Sequence, residues 1–93
     1  MNTTNTQVNS SNAVDTLIRK TIEEVTGNLL VDIRAESDLV EDLGISRAEL
    51  IKIMRKVQDE LEIELSPEAK KEILDDAESV ADVVDVVAEE YEF

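Results

Sequence analysis

Between Ser79 and Tyr91 the chain sets Val80, Val83, Val84, Val87, Ala88 and Tyr91 three and four residues apart. Valine favours strands by propensity, but a strand needs a period of two. This spacing lines one face of a helix instead, and the residues between are Asp, Glu and Ala. Period outweighs propensity, which predicts a helix over about 79–91 with Ser79 as its N-cap. The same period recurs upstream. Val14, Leu17, Ile18, Ile22 and Val25 form a stripe over about 13–27, with Asn12 placed to cap it and Gly27 to close it. Leu50, Ile53, Met54, Val57 and Leu61 form another, in a helix that starts at Ser46. Ser46-Arg47-Ala48-Glu49 has the form of a capping box, hydroxyl and carboxylate each reaching for the other's backbone N–H. Ile63 and Leu65 continue into a short linker. Ser66-Pro67-Glu68 then opens a short helix over about 67–75, an N-cap followed by proline at the first helical position, with Ala69, Ile73 and Leu74 inward. Four helical stripes must cover one another, so the prediction is all-α: a small four-helix bundle, three helices longer and one short.

Residues 28–45 break this pattern. Leu29, Leu30, Val31, Ile33, Leu39, Val40, Leu43 and Ile45 follow neither period. A loop this long is unusual in a small domain, and its apolar content predicts a segment pinned onto the bundle. Residues 1–12 hold no charge and almost no apolar side chain, which predicts a disordered polar tail ahead of one helical domain, 13–93. With no His and no Cys in 93 residues, Ser–His–Asp and Cys–His nucleophile sites are excluded. So are disulfides and zinc sites built from those ligands. Carboxylates are too numerous for one pair to stand out as general acid and base, so no catalytic residue is assigned. Asp75-Asp76-Ala77-Glu78 lacks the alternating ligands and central glycine of a calcium loop and reads as a solvated turn, so no metal is expected. Met54 belongs to the core stripe, and Tyr91 and Phe93 either pack on the last turn or extend into solvent.

The chain carries 23 Asp/Glu and 9 Lys/Arg, a net charge of −14. Phosphates repel so acidic a surface, which argues against nucleic acid and anionic membrane as partners. No stretch approaches the ~20 apolar residues of a membrane span. Met1-Asn2-Thr3-Thr4 shows neither the basic nor the apolar region of a secretion signal. The expectation is a cytoplasmic monomer that performs no catalysis itself.

Glu41-Asp42-Leu43-Gly44, after an apolar irregular loop and directly before a helix, resembles the acyl carrier protein family, whose members typically read (F/V)-x-E-D-L-G-x-D-S-L here. From Gly44 the likeness runs without a gap to Glu62-Ile63-Glu64-Leu65, similar to the family's exit from its second helix. Ser79-Val80-Ala81-Asp82-Val83-Val84-Asp85-Val86-Val87 looks like its last helix, and Thr21 to Gly27 like the end of its first. The resemblance spans roughly 13–90. It implies a carrier that presents acyl, polyketide or aminoacyl intermediates as thioesters to biosynthetic enzymes on a 4′-phosphopantetheine arm. In the family the arm hangs from the serine of D-S-L, where a phosphodiester meets the N–H groups and positive dipole end of a helix.

The same alignment sets Ser46 on the family's aspartate, Arg47 on its serine and Ala48 on its leucine. Either Ser46 carries the arm, or Ser46 only caps the helix and no arm is attached. The family's second helix is acidic and docks basic partners, whereas residues 47–56 here carry Arg47, Lys52, Arg55 and Lys56 against Glu49 alone. Residues 57–93, by contrast, carry 14 acids and 2 bases. The basic segment is either a solvated face that balances acidic neighbours or a docking face, formed by Arg47, Glu49, Lys52, Arg55 and Lys56, that prefers acidic partners. A third reading is an unrelated acidic bundle acting as inhibitor or adaptor.

Overall fold

The expected helices form α1 (Ser10–Thr26), α2 (Arg47–Leu61), α3 (Pro67–Lys71) and α4 (Val80–Glu92). The computed structural model describes residues 10–92, and no strand occurs among them, only an isolated bridge between Asp38 and Ser79. The fold is an all-α small helical bundle. Of the expected tail, residues 1–9 lie outside the described residues, as does Phe93; residues 10–12 already belong to α1. Asn12 is therefore inside the helix and is not its cap. The apolar period starts only at Val14, and a polar first turn ahead of it leaves no periodic trace.

α1 packs against both α2 and α4. Its core side is Val14, Ile18 and Ile22, with Leu17 and Val25 half-buried at the margin. Thr21 is buried among them although polar, because its hydroxyl donates to the Leu17 carbonyl at 2.8 Å. α2 buries Leu50, Ile53, Met54 and Val57. α4 is the most enclosed helix. Val80, Val83, Val84, Val87 and Ala88 are buried as their spacing predicts, and Val86, off the stripe, is buried too. α4 meets α1, α3 and the turn after α3, so more than one of its faces is covered. Tyr91 departs from the expected stripe: it is 39% exposed, in the last turn of the helix, where its polar tip favours water.

The third helix is not one α-helix to residue 75. Ser66 caps α3, accepting the Ala69 N–H at 3.1 Å. After Lys71 the chain widens into a π-turn, Glu72–Asp76, closed by the Ala77 N–H donating to the Glu72 carbonyl at 3.0 Å. The wider turn takes in an extra residue while keeping Ile73 fully buried; Leu74 stays half-buried.

The loop between α1 and α2 is pinned, as its composition predicts. Gly27 closes α1 in the left-handed region (φ +81), and a 3-10 turn follows at Leu30–Asp32. Arg19 donates to the Ile33 carbonyl at 3.0 Å, and the Asn28 side chain to the Leu43 carbonyl at 2.9 Å. The loop also satisfies the start of α4: the Val80 N–H donates to the Ser37 carbonyl and the Ala81 N–H to that of Ala35. Ile33, Leu39, Leu43 and Ile45 drop into the core, whereas Leu29, Leu30, Val31 and Val40 stay exposed. No helix of the described residues is long and apolar enough to cross a membrane.

Candidate functional site: the start and outer face of the second helix

The approach to α2 is built by Glu41-Asp42-Leu43-Gly44. The Asp42 carboxylate accepts the Asp38 N–H at 2.8 Å, while the Asp38 carboxylate accepts the N–H groups of Val40 and Glu41. Leu43 is buried, and Gly44 turns the chain at φ +62, a conformation that other side chains rarely adopt. The Ile45 N–H then donates to the Leu39 carbonyl at 2.8 Å. Each letter of the motif thus has a mechanical task except Glu41, which is exposed.

Ser46 follows as N-cap. Its Oγ accepts the Glu49 N–H at 3.1 Å, and its own N–H donates to Glu49 Oε1 at 3.0 Å. The capping box expected from Ser46-Arg47-Ala48-Glu49 is complete on both sides. Glu49 Oε1 also lies 3.4 Å from Ser46 Oγ. The carboxylate of Glu49 is therefore turned back onto the helix start and does not face outward among the cations.

Arg47, the first residue of α2, reaches across to the π-turn, its Nη1 3.4 Å from Asp75 Oδ1. At the other end of the basic segment, Lys56 Nζ lies 3.9 Å from Glu24 Oε1 of α1. Both pairs are largely solvent-exposed, so each contributes little to stability. Lys52 and Arg55 are exposed and have no carboxylate within 4 Å among the described residues. Beside them Ala48 is exposed and Ile51 is 38% exposed. Positions 48, 52 and 55 are three and four residues apart on one side of the helix, and position 51, three from 48 and four from 55, flanks them. The five residues expected to dock thus divide three ways: Lys52 and Arg55 stand open, Arg47 and Lys56 are anchored to acids, and Glu49 serves the cap. The Asp75 partner of Arg47 has no local sequence signal, since 28 positions separate them. Ile51 has one: it stands a single residue after Leu50, out of phase with the buried stripe.

A groove of about 320 Å³ beside α1 is lined by Asp15, Thr16, Arg19, Lys20 and Leu30, and two further grooves, more highly charged, lie elsewhere. One of about 300 Å³ between α1 and α2 is walled by Lys20, Glu24, Lys56, Asp59 and Glu60, which suits water and ions rather than an aliphatic chain. The other, about 240 Å³, is bordered by Glu72, Asp76, Asp82 and Asp85. Among the described residues no group of three or more acids is placed to hold a metal ion. The Asp82 carboxyl is held below its ordinary range because it accepts the N–H groups of Glu78 and Ser79, with a smaller contribution from the Ser79 hydroxyl. Compared with protein-family models, with curated proteins and with solved structures, the chain matches none of them.

Proposed function

We propose that this protein is a carrier-protein-like docking module: a cytoplasmic, monomeric, non-catalytic partner of enzymes that process acyl, polyketide or aminoacyl intermediates, acting through α2 without a covalent arm. The reading rests on the resemblance of residues 13–90 to acyl carrier proteins. The observation that carries the arm-less form is the state of Ser46, whose hydroxyl and N–H are both committed to Glu49. The residues do not fit a 4′-phosphopantetheine on Ser46. A phosphate on Ser46 would set its charge against the Glu49 carboxylate, 3.4 Å from the oxygen that would be modified. Arg47, the nearest cation in sequence, is directed to Asp75.

The competing reading, an arm on Ser46, draws on the exposure of that residue and on the N–H groups of Arg47 and Ala48, which have no protein partner among the described residues. Intact-mass spectrometry after co-expression with a broad-specificity phosphopantetheinyl transferase decides between them. The expected result is an unchanged mass. A gain of one phosphopantetheine that disappears in Ser46→Ala would replace the arm-less reading with the arm-bearing one.

A further inference from the structure

We infer that the patch formed by Ala48, Ile51, Lys52 and Arg55 on α2 is the seat of an acidic amphipathic helix from a partner protein. One apolar side chain of that helix rests on Ala48 and Ile51, and its carboxylates meet Lys52 and Arg55. The inference rests on the docking reading above and adds the chemistry of the partner.

Charge carries the first part. Lys52 and Arg55, like Lys70 and Lys71 of α3, have no carboxylate within ion-pair distance among the described residues, but of these two pairs only that on α2 stands beside an exposed large apolar side chain, Ile51. The patch presents a local charge opposite to that of the molecule, and it is complementary to carboxylates. Exposure carries the second part. Ile51 is the one large apolar side chain of α2 that is exposed among the described residues, and it lies in the same patch. An apolar contact framed by two cations matches a helix with one apolar anchor and acids an adjacent turn away.

The surroundings separate this partner from other anions. Asp59 lies one turn beyond Arg55 on α2, and Asp75 sits at the opposite end against Arg47. A nucleic-acid backbone or an anionic bilayer needs positive surface that continues, and here it would meet carboxylates after about one and a half turns of helix. A second copy of this chain does hold an acidic helix end with an exposed aromatic, Glu89 to Tyr91 of α4. Each copy carries −14, however, and that charge opposes encounter.

The test is an NMR titration of the full ¹⁵N-labelled chain with a synthetic peptide, a helix bearing one leucine stripe and glutamates elsewhere, at about physiological ionic strength. Saturable shifts confined to Ala48, Ile51, Lys52, Arg55 and their neighbours are expected. A Lys52→Glu/Arg55→Glu double variant should bind at least about tenfold more weakly, about 1.4 kcal/mol. Lys70→Glu/Lys71→Glu, which changes charge equally on α3, should bind as the parent does. The amide spectrum of each variant reports its fold. The inference is overturned by an absence of shifts, by shifts centred elsewhere, or by equal binding of a scrambled peptide of the same composition. Equal loss in the α3 variant, stronger binding of duplex DNA at the same patch, or a dimer seated there without peptide would also overturn it. A phosphopantetheine on Ser46 together with peptide shifts on α2 would remove the arm-less reading and leave this one. An unmodified Ser46 with no shifts would do the reverse.

Discussion

Ser46 and Ser79 solve the same problem at two helix starts. Each hydroxyl accepts the N–H three residues on, and each backbone N–H is answered by the acid at that position, Glu49 or Asp82. Ser66 caps α3 in the same manner but with Ala69 in the third position, so nothing reaches back from there; its N–H goes to Glu90 Oε1 of α4. Local sequence identified all three caps because a cap uses residues three apart. Asp82 adds a pH dependence. Its carboxyl is held below the ordinary range by the N–H groups of Glu78 and Ser79, so its contribution to stability is complete above that range and is lost as pH falls through the lowered value. Asp82→Ala should lower the urea midpoint at neutral pH by an amount equivalent to about 0.3–1 kcal/mol. The gap between variant and parent should close as pH falls below the ordinary carboxylate range. A gap that stays constant with pH would mean that the ionised Asp82 carboxylate does not support the Ser79 cap of α4.

At the scale of elements, two helix ends show how backbone conformation tests a sequence reading. α1 closes on Gly27 at φ +81, where glycine has no Cβ to oppose the left-handed turn, and the residue type revealed it in advance. α2 closes on Glu62 at φ +57, which a side chain opposes, and nothing in the residue type revealed that. Glu62→Gly should raise stability by about 0.5–1 kcal/mol, because the strain relieved exceeds the extra freedom that glycine has in the unfolded chain. Thermal unfolding monitored by circular dichroism checks it, and an unchanged or lower midpoint would show that Glu62 makes a compensating interaction. The π-turn at Glu72–Asp76 was not legible either. A run such as Glu72-Ile73-Leu74-Asp75 fits an α-helix locally, and only the need to keep Ile73 in the core while closing the turn at Ala77 widens it. That turn then sets Asp75 within reach of Arg47.

For the whole molecule, charge is the dominant global property. A net −14 on 93 residues destabilises the compact state by self-repulsion. Raising sodium chloride from about 0.01 M to about 0.15 M shortens the Debye length from about 30 Å to about 8 Å, and the thermal midpoint should rise. A falling midpoint would mean that ion pairs such as Arg19–Asp15 and Arg47–Asp75 outweigh the repulsion. The sequence alone determined the helical class, most helix limits, the N-caps of α2, α3 and α4 though not that of α1, and most of the core, because periodicity and capping are written in residues three or four apart. It also showed that a basic segment interrupts an acidic chain. Only the tertiary structure decided which of those cations remain open. Arg47 finds an acid on the π-turn and Lys56 one on α1, Glu49 turns to the cap, and Lys52 and Arg55 are left with Ile51. Those pairings join positions far apart in the chain, and no local pattern encodes a contact that exists only once the helices have packed.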